Sequence, residues 1–133
     1  MPMTSVKNMI FLDTNIVLEI ILKNRPHFAQ AQKFLEKVDD DTAISILSTH
    51  LIMHFGRKEQ IEDSLLENVI NENELLSITP EDYVWAVLNE QGRDFEDALQ
   101  IATAIRNRCE TFVTFDMSLA KDYSKLPITI VTP

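Results

Sequence analysis

The stretch IFLDTN, residues 10–15, decides the fold: a short apolar run ends at a carboxylate and passes directly into the helix-like segment 16–22. Such a run is typical of a strand in a parallel sheet that is covered by helices on both faces. In open parallel sheets the carboxyl ends of the strands form the edge where ligands bind. Asp13 is therefore a candidate functional residue, and capping of the following helix by Asp13 or Thr14 is the alternative.

Further apolar segments predict four more strands, which alternate with segments whose apolar residues recur at helical spacing. The predicted strands cover residues 43–47, 75–78, 111–114 and 128–131. Ser48 or Thr49 is expected to cap the helix after the first of these. The alternation predicts an α/β fold in which residues 1–133 form a single three-layer domain around a mostly parallel sheet of about five strands.

The charge of the chain restricts the ways in which it can meet a nucleic acid. Its formal net charge is -9, which argues against a broad phosphate-binding surface. The imbalance is local, because residues 59–97 contain twelve acidic residues and one basic residue. A nucleic-acid substrate would approach away from this segment, or would be held by a metal ion and a few lysine and arginine side chains.

Composition also predicts the compartment. The single cysteine, Cys109, cannot form an internal disulfide, and no charged-then-apolar signal segment opens the chain. No apolar run is long enough to span a bilayer, so no membrane partner is expected. These features predict a cytoplasmic protein.

Four chemically active side chains are predicted to meet at one edge of the sheet. Asp13 ends the first strand, Asp116 follows the fourth, and Asp97 lies in the first turn of the helix that leads into the fourth. His54 lies early in the helix after the second strand. Three converging aspartates repel one another, and a bound cation is the usual remedy. Helix capping is again the alternative, with Asp94 and Asp97 in a capping-box-like arrangement.

A hard divalent cation bound by these acidic side chains would support a specific reaction. Mg²⁺ and Mn²⁺ prefer oxygen ligands, and one or two such ions activate water and stabilise the leaving oxygen of a phosphodiester. The pattern therefore predicts metal-dependent nuclease chemistry.

Three ordered motifs carry a resemblance to a known family: FLDTN at residues 11–15, DFEDALQIATA at 94–104 and VTFD at 113–116. The chain resembles the PIN-domain family, and within it the VapC-type toxin ribonucleases of bacterial and archaeal toxin–antitoxin pairs. The resemblance implies an endoribonuclease that depends on Mg²⁺ or Mn²⁺, often forms a homodimer and is inhibited by a small antitoxin protein.

The same resemblance assigns roles to individual residues. By position, Asp13, Asp97 and Asp116 match metal-binding, catalytic acids of the family, and Asn15 and Thr114 match its supporting polar positions. The additional supporting residue expected from the capping-box-like spacing is Asp94.

One family acid is missing. In the family, a glutamate lies about six residues past the serine or threonine that ends the second strand, and counting from Ser48 places His54 there. Glu59 is more than a turn further on. A histidine can bind Mn²⁺ or Zn²⁺ but suits Mg²⁺ poorly, so His54 is a further candidate ligand.

The helix face around His54 offers a second interpretation. His50, His54 and Arg57 share this face, which would suit a metal pair or a phosphate-contacting stripe, and Arg57 is the candidate substrate contact. A solvated polar face is the alternative.

Other protein classes fit less well. A haloacid-dehalogenase-like phosphatase needs a second aspartate at position 15, where the chain has Asn15, and a receiver-type signalling domain needs paired acids after the first strand. The rival from a different class is a catalytically degenerate PIN-like module that binds RNA or a protein partner, because His54 replaces the family glutamate. RNA is the expected substrate or ligand in either case.

Overall fold

The computed structural model describes residues 8–90, 92 and 94–133. The first seven residues of the predicted domain lie outside this part. The strands are β1 (Met9–Leu12), β2 (Asp41–Ser45), β3 (Glu74–Leu76), β4 (Thr111–Val113) and β5 (Thr129–Val131). The helices are α1 (Thr14–Ile21), α2 (Phe28–Lys37), α3 (Ile46–Lys58), α4 (Asp63–Asn71), α5 (Pro80–Asn89), α6 (Phe95–Arg106) and α7 (Met117–Asp122).

All five strands form one parallel sheet in the order β3-β2-β1-β4-β5. The first strand is central, with Phe11 in register with Ala43 of β2 on one side and Phe112 of β4 on the other. The prediction of a single α/β domain with a mostly parallel five-stranded sheet is confirmed.

Alternate residues of β1 bury into two separate cores, one on each face of the sheet. Ile10 and Leu12 pack with apolar residues of α1, α3 and α4. Phe11 points to the other face, where it stacks on Phe112 at a centroid distance of 5.3 Å and packs with Ile101 of α6. A strand that is buried on both faces needs the continuous apolar sequence that IFL provides.

The second strand ends earlier than the sequence predicts. It was expected to cover 43–47, but α3 begins at Ile46, and Ser45 is its N-cap, with the Ser45 hydroxyl accepting a hydrogen bond from the Ser48 backbone N–H at 3.3 Å. Ser45 therefore caps α3 instead of Ser48 or Thr49. Apolar residues alone could not show this boundary, because Ile46 continues the apolar run although its side chain is exposed.

A buried ion pair joins α5 to α6. The Asp82 carboxylate accepts hydrogen bonds from the Thr79 backbone N–H at 3.0 Å, from the Thr103 hydroxyl at 3.2 Å and from Arg106 Nε at 3.0 Å. Arg106 also donates to the Ser77 carbonyl. These contacts fix α6, which carries Asp97, against the rest of the domain.

None of the helices among the residues that the structure describes combines the length and the apolarity needed to cross a bilayer.

Candidate functional site

Asp13 lies at the carboxyl end of β1 and is only 5% exposed. Its side chain forms no capping hydrogen bond with α1, and its Oδ2 atom accepts a hydrogen bond from the Thr114 hydroxyl at 2.8 Å. The pKa of Asp13 is raised to about 6, chiefly by burial; hydrogen bonding from Thr114 and Thr14 opposes this shift, and the charges of Glu96 and Asp116 add to it. Capping of α1 therefore does not explain this buried carboxylate.

Thr114 connects two of the predicted acids. It follows β4 and is buried, and while its hydroxyl donates to Asp13 it accepts a hydrogen bond from the Asp116 backbone N–H at 3.1 Å. The Asp116 side chain is exposed and caps α7, since its Oδ1 atom accepts from the Ser118 backbone N–H at 3.0 Å and the Ser118 hydroxyl at 2.6 Å. Asp116 thus fulfils the predicted capping role, which leaves its second oxygen for other contacts.

Asp97 lies in the first turn of α6. Its backbone N–H donates to the Asp94 carboxylate at 3.1 Å, so Asp94 is the N-cap of α6. The pKa of Asp97 is raised to about 7, chiefly by burial, and the charges of Asp13, Asp94, Asp116 and Glu96 contribute to this shift in the same direction. The charges of Asp13 and Asp116 are thus among those that act on the Asp97 carboxylate.

The donor set fits a hard divalent cation in its chemistry. Asp13, Asp97 and Asp116 offer carboxylate oxygens, and in Asp13 and Asp97 burial, with a smaller contribution from neighbouring acids, raises the pKa. Within residues 8–90, 92 and 94–133, however, no group of three or more His, Cys, Asp or Glu side chains is already arranged to hold an ion. Binding would therefore require these side chains to rotate toward a common point.

The remaining candidate residues lie around or outside this region. Asn15 is exposed in the first turn of α1, two residues past Asp13. His54 is exposed on α3, where its ring stacks on His50 at 6.1 Å and meets Phe55 edge-on at 5.1 Å. Its charge is not among those that shift the pKa of Asp13 or Asp97.

Arg57, the predicted substrate contact, is engaged by a neighbouring acid. Its Nε and Nη2 atoms donate to the two carboxylate oxygens of Asp63 at 3.0 and 2.9 Å. This bidentate pair is solvent-exposed, and it raises the pKa of Arg57 and lowers that of Asp63. An RNA phosphate would have to compete with Asp63 for the guanidinium.

The position of the missing family acid changes with the observed boundary of β2. Six residues past Ser45, the true end of the strand, lies Leu51, not His54. Leu51 is half-buried and cannot bind a cation. The count from Ser48 was wrong because the strand ends three residues earlier, and the fourth carboxylate is absent from α3 at either position.

A buried polar network formed by Thr14, Ser48 and Gln100 was not predicted from the sequence. The Thr14 and Ser48 hydroxyls lie 2.7 Å apart, and Gln100 Nε2 of α6 donates to both at 3.1 and 3.2 Å. Gln100 is completely buried, and its Oε1 atom has no hydrogen-bond partner. Gln100 lies three residues after Asp97, a spacing that places both on one helix face and could have identified it from the sequence.

Glu96 was also missed. Its charge raises the pKa of both Asp13 and Asp97, and burial, together with the charge of Asp94, raises its own pKa. In the sequence, Glu96 is only one residue of the motif at 94–104, and a glutamate in the first turn of a helix is commonly a dipole partner.

The chain was compared with known proteins. The sequence profile of the PIN domain matches residues 10–123. No curated protein matches the chain in sequence.

Several solved structures share the fold. A toxin–antitoxin complex from Klebsiella pneumoniae contains a chain with 24% identity and a TM-score of 0.74, covering 92% of this chain and 96% of that one. VapBC2 from Rickettsia felis, bound to a promoter DNA fragment, has 15% identity and a TM-score of 0.66, covering 93% and 98%. DNA-bound VapBC from Salmonella typhimurium has 18% identity and a TM-score of 0.63, covering 94% and 98%. At these identities the likeness shows a common fold.

Proposed function

Because the chain belongs to the PIN-domain family, we propose that it is a divalent-metal-dependent endoribonuclease that hydrolyses RNA phosphodiester bonds. The observation that carries the proposal is the pair of partly or fully buried carboxylates, Asp13 and Asp97, whose pKa values are raised to about 6 and 7 with no cationic side chain among the causes. Carboxylates held in this way are suited to a bound Mg²⁺ or Mn²⁺.

Each residue of the site has a distinct proposed task. Asp13, Asp97 and Asp116 would hold the ion, which when bound supplies Lewis acidity and an activated water. Thr114 fixes the orientation of Asp13 through its hydroxyl, and Asp94 anchors the backbone at Asp97. Asn15, exposed in the first turn of α1, would contact the substrate or an ion-bound water.

An aromatic pair beside the acids supports a substrate with unpaired bases. The exposed His27 ring stacks on Phe115 at 4.9 Å, and Phe115 lies between Thr114 and Asp116. The His27 backbone N–H donates to the buried Glu19 carboxylate at 3.0 Å, which fixes the loop that carries this ring. Unpaired nucleobases of RNA stack on such rings, whereas bases within a duplex cannot reach them.

The proposed partners are a small antitoxin protein and a second copy of the chain. One structural neighbour is a chain of a toxin–antitoxin complex and two others are DNA-bound VapBC structures, which supports a toxin role with an antitoxin partner. Exposed apolar side chains on α5 and next to α6 support self-association; these are Tyr83, Val84, Val87, Leu88 and Phe95.

Cleavage of structured RNA by the purified protein in Mn²⁺ tests the proposal. We expect cleavage by the wild-type protein and a loss of at least about a hundredfold in Asp13→Asn, because the central carboxylate is removed. Glu36→Gln removes one exposed carboxylate from α2 and is the matched control, with unchanged activity expected. Equal cleavage by wild type and Asp13→Asn would overturn the proposal, since it would indicate a contaminating nuclease.

The second candidate function is a degenerate PIN-like module that binds RNA or protein without cleaving. The absence of a carboxylate at both Leu51 and His54 favours it. Under this alternative, wild type does not cleave, and cleavage appears only when a glutamate is restored, with Leu51→Glu and His54→Glu as the two variants to compare.

A further inference from the structure

The loop between α1 and α2, residues 22–27, borders an open cavity of about 510 Å³, the loop cavity. Its lining combines apolar side chains, an exposed phenyl ring and three polar side chains. These residues include Ile20, Ile21, Phe28, Lys23, Asn24 and Arg25. Both charged residues of this lining, Lys23 and Arg25, are cationic. The cavity therefore suits a ligand that joins an anionic group to an apolar or aromatic one.

The charge around the loop is opposite to that of the whole chain. Residues 20–35 hold three basic residues and no acidic residue, although the formal net charge of the chain is -9. Lys23 is exposed, and within residues 8–90, 92 and 94–133 no acid pairs with it. This part of the surface can therefore attract a phosphate group, which the acidic segment 59–97 would repel.

A buried carboxylate holds the loop in place. The Glu19 Oε1 atom lies 3.4 Å from Arg25 Nε, and its Oε2 atom accepts a hydrogen bond from the His27 backbone N–H at 3.0 Å. Arg25 Nε is buried, whereas 37% of the Arg25 side chain is exposed. Because a guanidinium carries five N–H donors, Arg25 can pair inward with Glu19 and still offer its outer nitrogens to a phosphate.

The same loop borders the proposed cleavage site. Its last residue, His27, stacks on Phe115 at a centroid distance of 4.9 Å, and Phe115 directly precedes Asp116. An RNA strand bound at Asp116 would therefore run close to the loop. Phe28, which follows His27 in the chain, is 38% exposed and offers the loop cavity a ring on which a base can stack.

From these observations we propose that the loop cavity binds one unpaired nucleotide of the RNA substrate, close to the site of cleavage. The base stacks on Phe28, and Lys23 and Arg25 bind an adjacent phosphate. Asn24 offers an amide donor and a carbonyl acceptor to the edge of the base. The inference rests on the proposed function, to which it adds a preference for single-stranded RNA that is set by this loop.

Binding of a short fluorescein-labelled single-stranded RNA to the full chain in EDTA, measured by fluorescence anisotropy at several salt concentrations, tests the inference without cleavage. Lys23→Gln removes one phosphate contact, so we expect it to reduce the slope of log Kd against log salt concentration by about 0.7. Lys58→Gln makes the same change of charge at the exposed C-terminal end of α3 and should leave the slope unchanged. Arg25 is a poorer choice, because its loss would leave the buried Glu19 carboxylate without a cation.

Phe28→Ala tests the stacking of the base. We expect it to weaken binding of the single-stranded RNA by about tenfold and to leave the salt slope unchanged, because a base contact is lost and no phosphate contact. Phe55→Ala is the matched control: it removes a ring of nearly equal exposure, 37% against 38%, from α3 and should change the affinity by less than about twofold. In a duplex the bases are paired, so Phe28→Ala should leave the affinity for duplex RNA unchanged.

The outcomes separate the inference from the proposed function. If Lys23→Gln and Phe28→Ala behave like their controls, or if wild type does not bind the single-stranded RNA at low salt, the loop cavity is not a nucleotide site. An equal loss of duplex affinity in Phe28→Ala would also overturn the inference, since the ring would then not contact an unpaired base. Cleavage of the same RNA by wild type in Mn²⁺, and its loss in Asp13→Asn, decides the proposed function separately.

Discussion

Two buried carboxylates of this protein have opposite surroundings. Asp82 is 2% exposed and is neutralised by Arg106, with further hydrogen bonds from Thr79 and Thr103. Asp13 is 5% exposed, has a single side-chain donor in Thr114, and lies among other acids. A paired buried carboxylate stabilises packing of α5 on α6, whereas an unpaired one is a cost to the fold that a bound cation would offset.

The largest expected effect is the loss of the Asp82 contacts. Asp82→Ala should lower the free energy of unfolding by about 3 kcal/mol, because Arg106 loses its partner and the Thr79 N–H loses its acceptor. Asp13→Asn in EDTA should not lower it at pH 7. Urea denaturation of both variants measures the difference, and equal destabilisation would show that the two carboxylates do not differ as described.

The second expected effect is a pH dependence of the folding stability that is caused by Asp13. Its pKa in the folded protein is raised from 3.8 to about 6, so the folded state keeps a proton that the unfolded state has lost between these values. Stability from this group is therefore present below about pH 4 and lost as pH rises through 6. In EDTA, Asp13→Asn should become more stable than wild type by roughly 2 kcal/mol at pH 7, with little difference at pH 4.

Asp97 is expected to reduce the folding stability with rising pH in the same way, because its pKa is also raised, to about 7. The control is Asp82→Asn, which is not expected to show the same gain in stability with rising pH. A constant difference between Asp13→Asn and wild type from pH 4 to 7 would contradict the interpretation that Asp13 is an unpaired buried acid.

The smallest expected effect on stability distinguishes helix capping by Asp116 from its proposed role in binding the ion. Asp116→Ala removes the cap of α7 and should cost about 1 kcal/mol, whereas Asp116→Asn keeps an oxygen for the Ser118 N–H and should cost only a few tenths. Both variants should weaken Mn²⁺ binding, because both remove the charge. If Asp116→Asn binds Mn²⁺ as wild type does, Asp116 is a cap alone.

Capping and ion binding were alternatives for all three aspartates in the sequence, and the structure distinguishes them only in part. Asp116 caps α7 and Asp94 caps α6, but the Asp13 side chain forms no capping hydrogen bond with α1. The local sequence could not decide this, because the same residue type is favoured at a helix N-terminus for both purposes. The decision depends on where the Thr114 hydroxyl lies, and Thr114 is 101 residues away along the chain.

The sequence by itself determined the α/β fold and the family. These follow from local patterns: apolar runs that form strands, helical periodicity between them, and polar residues at strand ends. The tertiary structure decided the end of β2 at Ser45 and the network that joins Gln100 to Thr14 and Ser48. These features depend on contacts between residues far apart in the chain, which periodicity and composition do not record.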